Sequence, residues 1–281
     1  MEVRQAAPEL GVVVTGLDLR EPLADPVRAE LLRLFRERYL LVFPGQELDA
    51  DEHVAVAACF GRIASEGLAA RHRVGYVSNH RPDGTLGSTT ASFHVDYGFF
   101  ERPYEALSLY GLEIPPRGTQ TWFVSGVAAA RDLPPSLRAR LGGLVARHVV
   151  DVASPAGQSG VRVREGRLDE TYPHVLRPVL WRHHATGDEI LAVWEQHTDA
   201  LFPMDAAAST ALIEELYAHL YRPEHRYAHD WHEGDLLIWD NHALQHGRPD
   251  VGTEAPRTLR RVCVGADQDL SIFAARAAAR P

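Results

Sequence analysis

The chain has 281 residues, 45% of them hydrophobic and 24% charged, the proportions of an ordinary globular protein. A formal net charge of −9 argues against a nucleic-acid partner. Two cysteines, Cys59 and Cys263, are too few for a disulfide framework, no apolar run reaches membrane-spanning length, and the N-terminus has no signal-like apolar core. These features predict a soluble, cytoplasmic protein folded as a single domain over residues 1–281. All 29 basic residues are arginine, which fits the codon usage of a GC-rich genome better than selection for anion binding.

In chain order, Gly11–Gly16 reads as a first strand, and the spacing of Val27, Leu31, Leu32, Leu34 and Phe35 predicts a helix over 26–38. Leu40–Phe43 is a short buried strand stopped by Pro44-Gly45. Asp49 and Glu52 form a capping-box pattern that opens a helix running to about Phe60. Strands are expected over 73–78, 106–112 and 119–124. The Gly-, Ser- and Thr-rich stretch 80–92 and the segment 151–170 read as loops that could close over a site. A helix with a weak point at Gly142-Gly143 is expected over 134–147, and another over 206–220. Strands are expected over 189–193, 227–231, 236–239 and 257–265, and the Ala/Arg tail from Ala274 reads as a frayed helix. Strands spread through the chain with helices inserted among them predict one β-rich core carrying helical decoration.

The chemistry centres on Ser92–Gly98. If this stretch is extended, His94 and Asp96 project to one side, and Phe93, Val95 and Tyr97 to the other. An imidazole and a carboxylate side by side make two-thirds of a facial triad, the ligand set suited to non-haem Fe(II) that must keep open positions. His-x-Asp alone is a weak signal in a chain with 15 histidines. His246, 152 positions later and beside Gly247, is the candidate third ligand, with His242 a rival. His183, His184, His229 and His232 read as surface or pocket-edge residues. On a strand, Arg257 and Arg261 share a face and Arg260 points away. Two like-facing arginines about 13 Å apart would be costly in a β core without anions to meet them. The planar fork of arginine suits a carboxylate held by two hydrogen bonds.

Phe93-His94-Val95-Asp96, Leu236–Asn241 with Gln245-His246, and Ala255-Pro256-Arg257 with Arg261 together resemble the taurine dioxygenase family of Fe(II)- and 2-oxoglutarate-dependent oxygenases. The likeness runs from Gly16–Leu19 through Tyr172–Val175 and Thr186-Gly187 to Val264. It implies a mainly β fold with α decoration, built on a double-stranded β-helix, the cupin-like jelly roll. It implies His94, Asp96 and His246 as iron ligands and Arg257 on the distal carboxylate of 2-oxoglutarate, with Thr121 assisting. Here Gly118-Thr119-Gln120 stands where relatives often carry two glycines and an aspartate. Arg261 matches the arginine near the substrate anion or the metal-bound end of the co-substrate. Asn79, Thr90, Tyr97, Glu195 and His197 lie on segments expected to border the substrate, and Trp239 is expected beside the co-substrate. Relatives that halogenate replace the carboxylate at position 96, so Asp96 argues for oxygenation.

The implied reaction consumes O2 and 2-oxoglutarate, releases succinate and CO2, and oxidises an unactivated C–H bond of a small, anionic molecule. Hydroxylation is the default, with desaturation or epoxidation on the same residues as the alternative. A zinc hydrolase using the same three ligands and a jelly-roll binding protein without turnover are the rival classes. Relatives are often dimers or tetramers, so a homo-oligomer is compatible with the sequence.

Overall fold

The computed structural model describes residues 1–65, 73–116, 119–150 and 174–268. The segment expected as a loop over 151–170, the Tyr172-Pro173 dipeptide, Gly118 and the tail from Ala274 lie outside the described residues.

Two sheets enclose the core. The larger has eight strands in the order β1 (Glu2–Gln5), β2 (Val12–Thr15), β3 (Leu40–Phe43), β15 (Leu236–Asp240), β7 (Ala106–Glu113), β17 (Thr258–Val264), β4 (Gly75–Ser78) and β5 (Gly84–Leu86). The smaller has four, in the order β14 (Arg226–Asp230), β8 (Gln120–Ser125), β16 (Leu244–Arg248) and β6 (Ala91–His94). Sequence neighbours fall in opposite sheets: β15 leads into β16, and β16 into β17. This is the jelly roll expected from the sequence. Two small sheets flank it, one ordered β10 (His174–Pro178), β9 (Val145–Val149), β13 (Thr198–Phe202), the other pairing β11 (Leu180–Arg182) with β12 (Glu189–Leu191).

Period-two patterning assigns each central residue to a face. In β15, Leu237 and Trp239 enter the core between the sheets, and Leu236 and Ile238 pack under the helical layer. Both faces are covered, which is why this strand reads as a continuous apolar run. In β17, Leu259 and Cys263 face the inter-sheet core and Val262 and Val264 the helical side. The helical layer comprises α1 (Asp25–Arg38), burying Leu31, Leu34 and Phe35, and α2 (Ala50–Ala58). Asp49 and Glu52 form the predicted capping box on α2, satisfying two orphan N–H groups. Behind the smaller sheet pack α3 (Gly126–Arg131), α4 (Pro135–Arg140) and α5 (Ala206–Leu220).

The expected helix over 134–147 is corrected: α4 stops at Arg140, and 145–149 is strand β9, hydrogen-bonded to β10 and β13. Gly143 adopts φ +77°, a conformation that suits the end of a helix and not its interior. Beyond it Ala146 and His148 are buried while Val145 and Arg147 are half-buried, the period of two of a strand. The 80–92 stretch, read as loop, contains β5, which pairs in parallel with β4. Cys59 and Cys263 form no disulfide, and no helix among the described residues is long and apolar enough to cross a membrane.

Candidate active site

A cavity of about 250 Å³ opens between the two sheets. His94 ends β6 and His246 lies in β16, and the two pair directly across the ladder. Their ring centroids are 4.2 Å apart. Asp96 is not on the strand. β6 ends at His94, and Asp96 sits in the turn that follows, where Tyr97 takes φ +56°. The shared-face argument for an extended 92–98 is therefore corrected: a turn, not strand alternation, brings the carboxylate round, and it also swings Tyr97 into the cavity lining. Asn241 holds that turn. Its Oδ1 accepts from the Asp96 N–H at 3.0 Å, and its Nδ2 donates to the carbonyls of Asp96 at 3.0 Å and Tyr104 at 2.9 Å.

The three side chains converge as a donor set. His94 Nδ1 stands 2.8 Å from the Ser92 carbonyl, which can only accept, so Nδ1 carries a proton and Nε2 is the nitrogen directed at the site. That nitrogen is 3.2 Å from Asp96 Oδ1, and His246 Nε2 is 3.8 Å from the same oxygen. Burial, and then the neighbouring His94, push His246 down to about 3, so its ring is neutral near pH 7. Burial works against the charge on Asp96, but its neighbours, Arg261 among them, outweigh it and keep the carboxyl well below its usual range. Two imidazole lone pairs and a carboxylate, all within 4.8 Å of one another, fit a divalent cation. His246 is a strand residue, not a turn residue, and Gly247 beside it is required by contact: a Cβ there would lie 2.8 Å from the Ala91 carbonyl, between β16 and β6. Trp239 packs edge-on against His246, with centroids 5.0 Å apart, and lines the cavity.

His242 falls elsewhere, with His183 and His184. In that cluster His183 Nδ1 accepts from the N–H groups of Ala185 and Thr186, both at 3.2 Å, so Nε2 carries the proton and donates to Asp240 Oδ2 at 2.9 Å. Both nitrogens of His183 are committed and His184 is exposed, so this group is a structural network and not a second donor set. Asp240 Oδ1 accepts from the N–H groups of His242 and Ala243 and shapes the turn between β15 and β16. His229, expected near the surface, is buried and bonded to Asp235 Oδ2 at 3.0 Å, while His232 is exposed.

Arg257, Leu259 and Arg261 line the cavity on alternating positions, and Arg260 turns away to His53 and the Leu48 carbonyl. Arg257 is 1% exposed. Its Nε donates to Thr119 Oγ1 at 2.7 Å, and Nη1 and Nη2 are buried with no partner among the described residues. Burial first, and then the charge of Arg248, lower it to about 9. A buried cation with two unmet donors is costly, and an anion in the cavity would meet it. Thr121 also lines the cavity, its hydroxyl accepting from Trp231 Nε1 at 2.9 Å, so Thr119 and not Thr121 contacts Arg257 directly. Arg261 Nη1 donates to Asp96 Oδ2 at 3.2 Å.

Of the residues expected at the substrate, Tyr97, His197 and Arg261 line the cavity, and Asn79, Thr90 and Glu195 do not. Asn79 is consumed by the backbone: it bonds the carbonyls of Gly252 and Ala255 and the N–H of Arg257. Thr90 is exposed, and the N–H of Glu195 is bonded to the Tyr221 hydroxyl. Sequence reasoning missed Asn241, although its strand-ending Asp-Asn was visible, and missed Arg248, which lies two positions from His246 and so shares its face.

The family model for taurine catabolism dioxygenase TauD and the TfdA family matches residues 2–263. The chain belongs to this family. It is 29% identical over 269 residues to the alpha-ketoglutarate-dependent 2,4-dichlorophenoxyacetate dioxygenase of Cupriavidus pinatubonensis, covering 88% of this chain and 92% of that one. It is 30% identical over 252 residues to the (S)-phenoxypropionate/alpha-ketoglutarate-dioxygenase of Sphingobium herbicidovorans, covering 84% and 85%. Among solved structures, AAD-2 in complex with Mn(II) and N-oxalylglycine superposes with a TM-score of 0.77 at 25% identity, covering 94% of this chain and 96% of that one. The protein is thus an oxidoreductase of the dioxygenase class that uses Fe(II), 2-oxoglutarate and O2.

Proposed function

We propose that this dioxygenase hydroxylates a C–H bond of a small molecule carrying one anionic head, a carboxylate or sulfonate, on an apolar body. The observation that carries this reading is the cavity lining, where Val77, Leu86, Phe99, Leu107, Leu109 and Val150 surround a site bearing three arginines against one carboxylate. His94, Asp96 and His246 are the residues that would hold iron. Bound there, ferrous iron supplies the oxygen chemistry that couples decarboxylation of 2-oxoglutarate to oxidation of the substrate.

The chain's own residues bind, orient and exclude water. Arg257 offers two N–H groups from its buried fork to the far carboxylate of 2-oxoglutarate, with the Thr121 hydroxyl beside it. Arg261 braces Asp96 and places a positive charge at the metal end of the cavity, where it attracts the substrate head group. The apolar wall and Trp239 keep bulk water from the reacting carbon. His197, 3% exposed and held near 3 by burial and by His94, presents a neutral ring to the substrate. Charge in the cavity favours anionic ligands: Arg248, Arg257 and Arg261 outnumber Asp96. The two curated relatives, named for a dichlorophenoxyacetate and a phenoxypropionate, accord with a carboxylate on an apolar body.

The test is a panel of carboxylates and sulfonates with apolar bodies, scored by substrate-stimulated succinate release and by mass spectrometry of the product. A product heavier by one oxygen, with one succinate formed per turnover, supports hydroxylation. Stimulation by neutral or cationic compounds but by no anion in the panel would reject the charge argument.

A further inference from the structure

Arg248 is 4% exposed, yet its side chain lines the cavity. Its Nη2 donates to three carbonyls of one short segment, Leu86 at 3.0 Å, Gly87 at 2.7 Å and Thr89 at 2.9 Å. Its Nε and Nη1 are buried with no partner among the described residues. A guanidinium used only to fasten the 86–89 segment would need one nitrogen, and the remaining donors would not be left unmet in a cavity.

Strand register puts Arg248 and Arg257 at the same end. Gly247 pairs with Trp122, so the next position on β16, Arg248, lies opposite Thr121 on β8. Leu86, whose carbonyl Arg248 holds, pairs with Ser78, and Ser78 pairs with Thr258, the neighbour of Arg257. Across β6 the residue facing Arg248 is Ala91, whose small side chain leaves room beside the guanidinium. Two arginines, each with two unmet donor nitrogens, therefore share the Thr121 end of the cavity. They repel one another unless an anion lies between them. A carboxylate has about four lone-pair sites on two oxygens, enough to accept from both forks.

We infer that Arg248 is a second guanidinium for the far carboxylate of 2-oxoglutarate, acting with Arg257, and that it ties the bound carboxylate to the 86–89 segment. This rests on the co-substrate reading above. It makes the co-substrate end of the pocket a two-arginine clamp whose second member also holds the rim. Binding of the dicarboxylate then orders residues 86–90 through the Nη2 contacts.

The experiment measures dissociation constants by calorimetry on Mn(II)-loaded, full-length protein for 2-oxoglutarate and for 2-oxopentanoate, which lacks the far carboxylate. Wild type, Arg248→Gln and Arg257→Gln are compared. Arg248→Gln should weaken 2-oxoglutarate by about 10- to 100-fold, the range for hydrogen bonds to a charged group, and leave 2-oxopentanoate unchanged. Amide hydrogen exchange over 86–90 should slow on adding 2-oxoglutarate to wild type and not to Arg248→Gln. Should Arg248→Gln fold poorly, Arg248→Lys, which keeps the charge and loses the fork, should show a smaller loss with the same selectivity. An unchanged 2-oxoglutarate affinity, or equal losses for both ligands, would overturn the inference and reduce Arg248 to a rim fastener. If wild type fails to bind 2-oxoglutarate and Arg257→Gln changes nothing, the co-substrate reading itself falls.

Discussion

The carboxylate of Asp96 is shared between two partners: Oδ1 stands 3.2 Å from His94 Nε2, and Oδ2 accepts from Arg261 Nη1 at 3.2 Å. One oxygen thus faces the donor set, and the other is held by a cation on the opposite sheet. The geometry links the turn after β6 to strand β17 and fixes which oxygen can meet a metal.

Replacing Arg261 should therefore loosen the metal site without removing a ligand. Arg261→Gln is expected to lower the affinity for Fe(II) or Mn(II) by about 10- to 100-fold, the usual effect of losing an orienting partner of a ligand. Anaerobic metal titration checks this. An unchanged affinity would show that the turn alone orients Asp96.

The turn has its own brace. Asn241 is fully buried and its side chain makes three hydrogen bonds, two to the backbone of Asp96 and one to the carbonyl of Tyr104. Asn241→Ala leaves those groups unmet and should destabilise the metal-free protein by about 2–4 kcal/mol. Urea denaturation measures this directly, and metal affinity should fall with it.

Stability should depend on pH through His53, which lies in α2 outside the cavity lining. It is fully buried, with Nε2 2.7 Å from Ser108 Oγ and Nδ1 accepting from Arg260 Nε at 3.1 Å. Burial, and then the Arg260 charge, lower it to about 3. An unfolded histidine titrates near ~6.5. Between those values the unfolded chain binds a proton that the folded chain refuses, so this contribution is complete above pH ~6.5 and is lost as pH falls toward 3. At about pH 5 the loss should be about 2 kcal/mol. The fall in unfolding free energy between about pH 7 and about pH 5 should be smaller by roughly that amount in His53→Gln, and an equal slope in both proteins would remove His53 as its source.

Much of this was legible in the residues, and the exceptions have physical causes. Strand β15 was readable because both its faces are buried, and α2 because Asp49 and Glu52 cap it. The capping and patterning signals are local, within a few residues. Strand β9 was not readable, because its pairing is set by β10 and β13, which are distant in the chain. β1 was missed for another reason: all four of its residues are exposed, so it carries no burial pattern. At the site, the histidines and arginines were visible as residue types, but the turn that delivers Asp96 depends on Asn241, 145 positions on. Asn79 shows the converse, a polar residue beside the pocket whose donors and acceptor are spent on backbone. Arg248 was overlooked because an arginine after a glycine reads as surface until its burial is known.

The most direct test of the account is anaerobic addition of Fe(II) and 2-oxoglutarate, followed by the weak visible charge-transfer absorption of the chelated co-substrate. Wild type should develop the band, His246→Ala should lose it, and Arg257→Ala should require far more 2-oxoglutarate to reach it. No band in wild type, or a band unchanged in His246→Ala, would contradict the assignment of His94, Asp96 and His246 as the metal ligands.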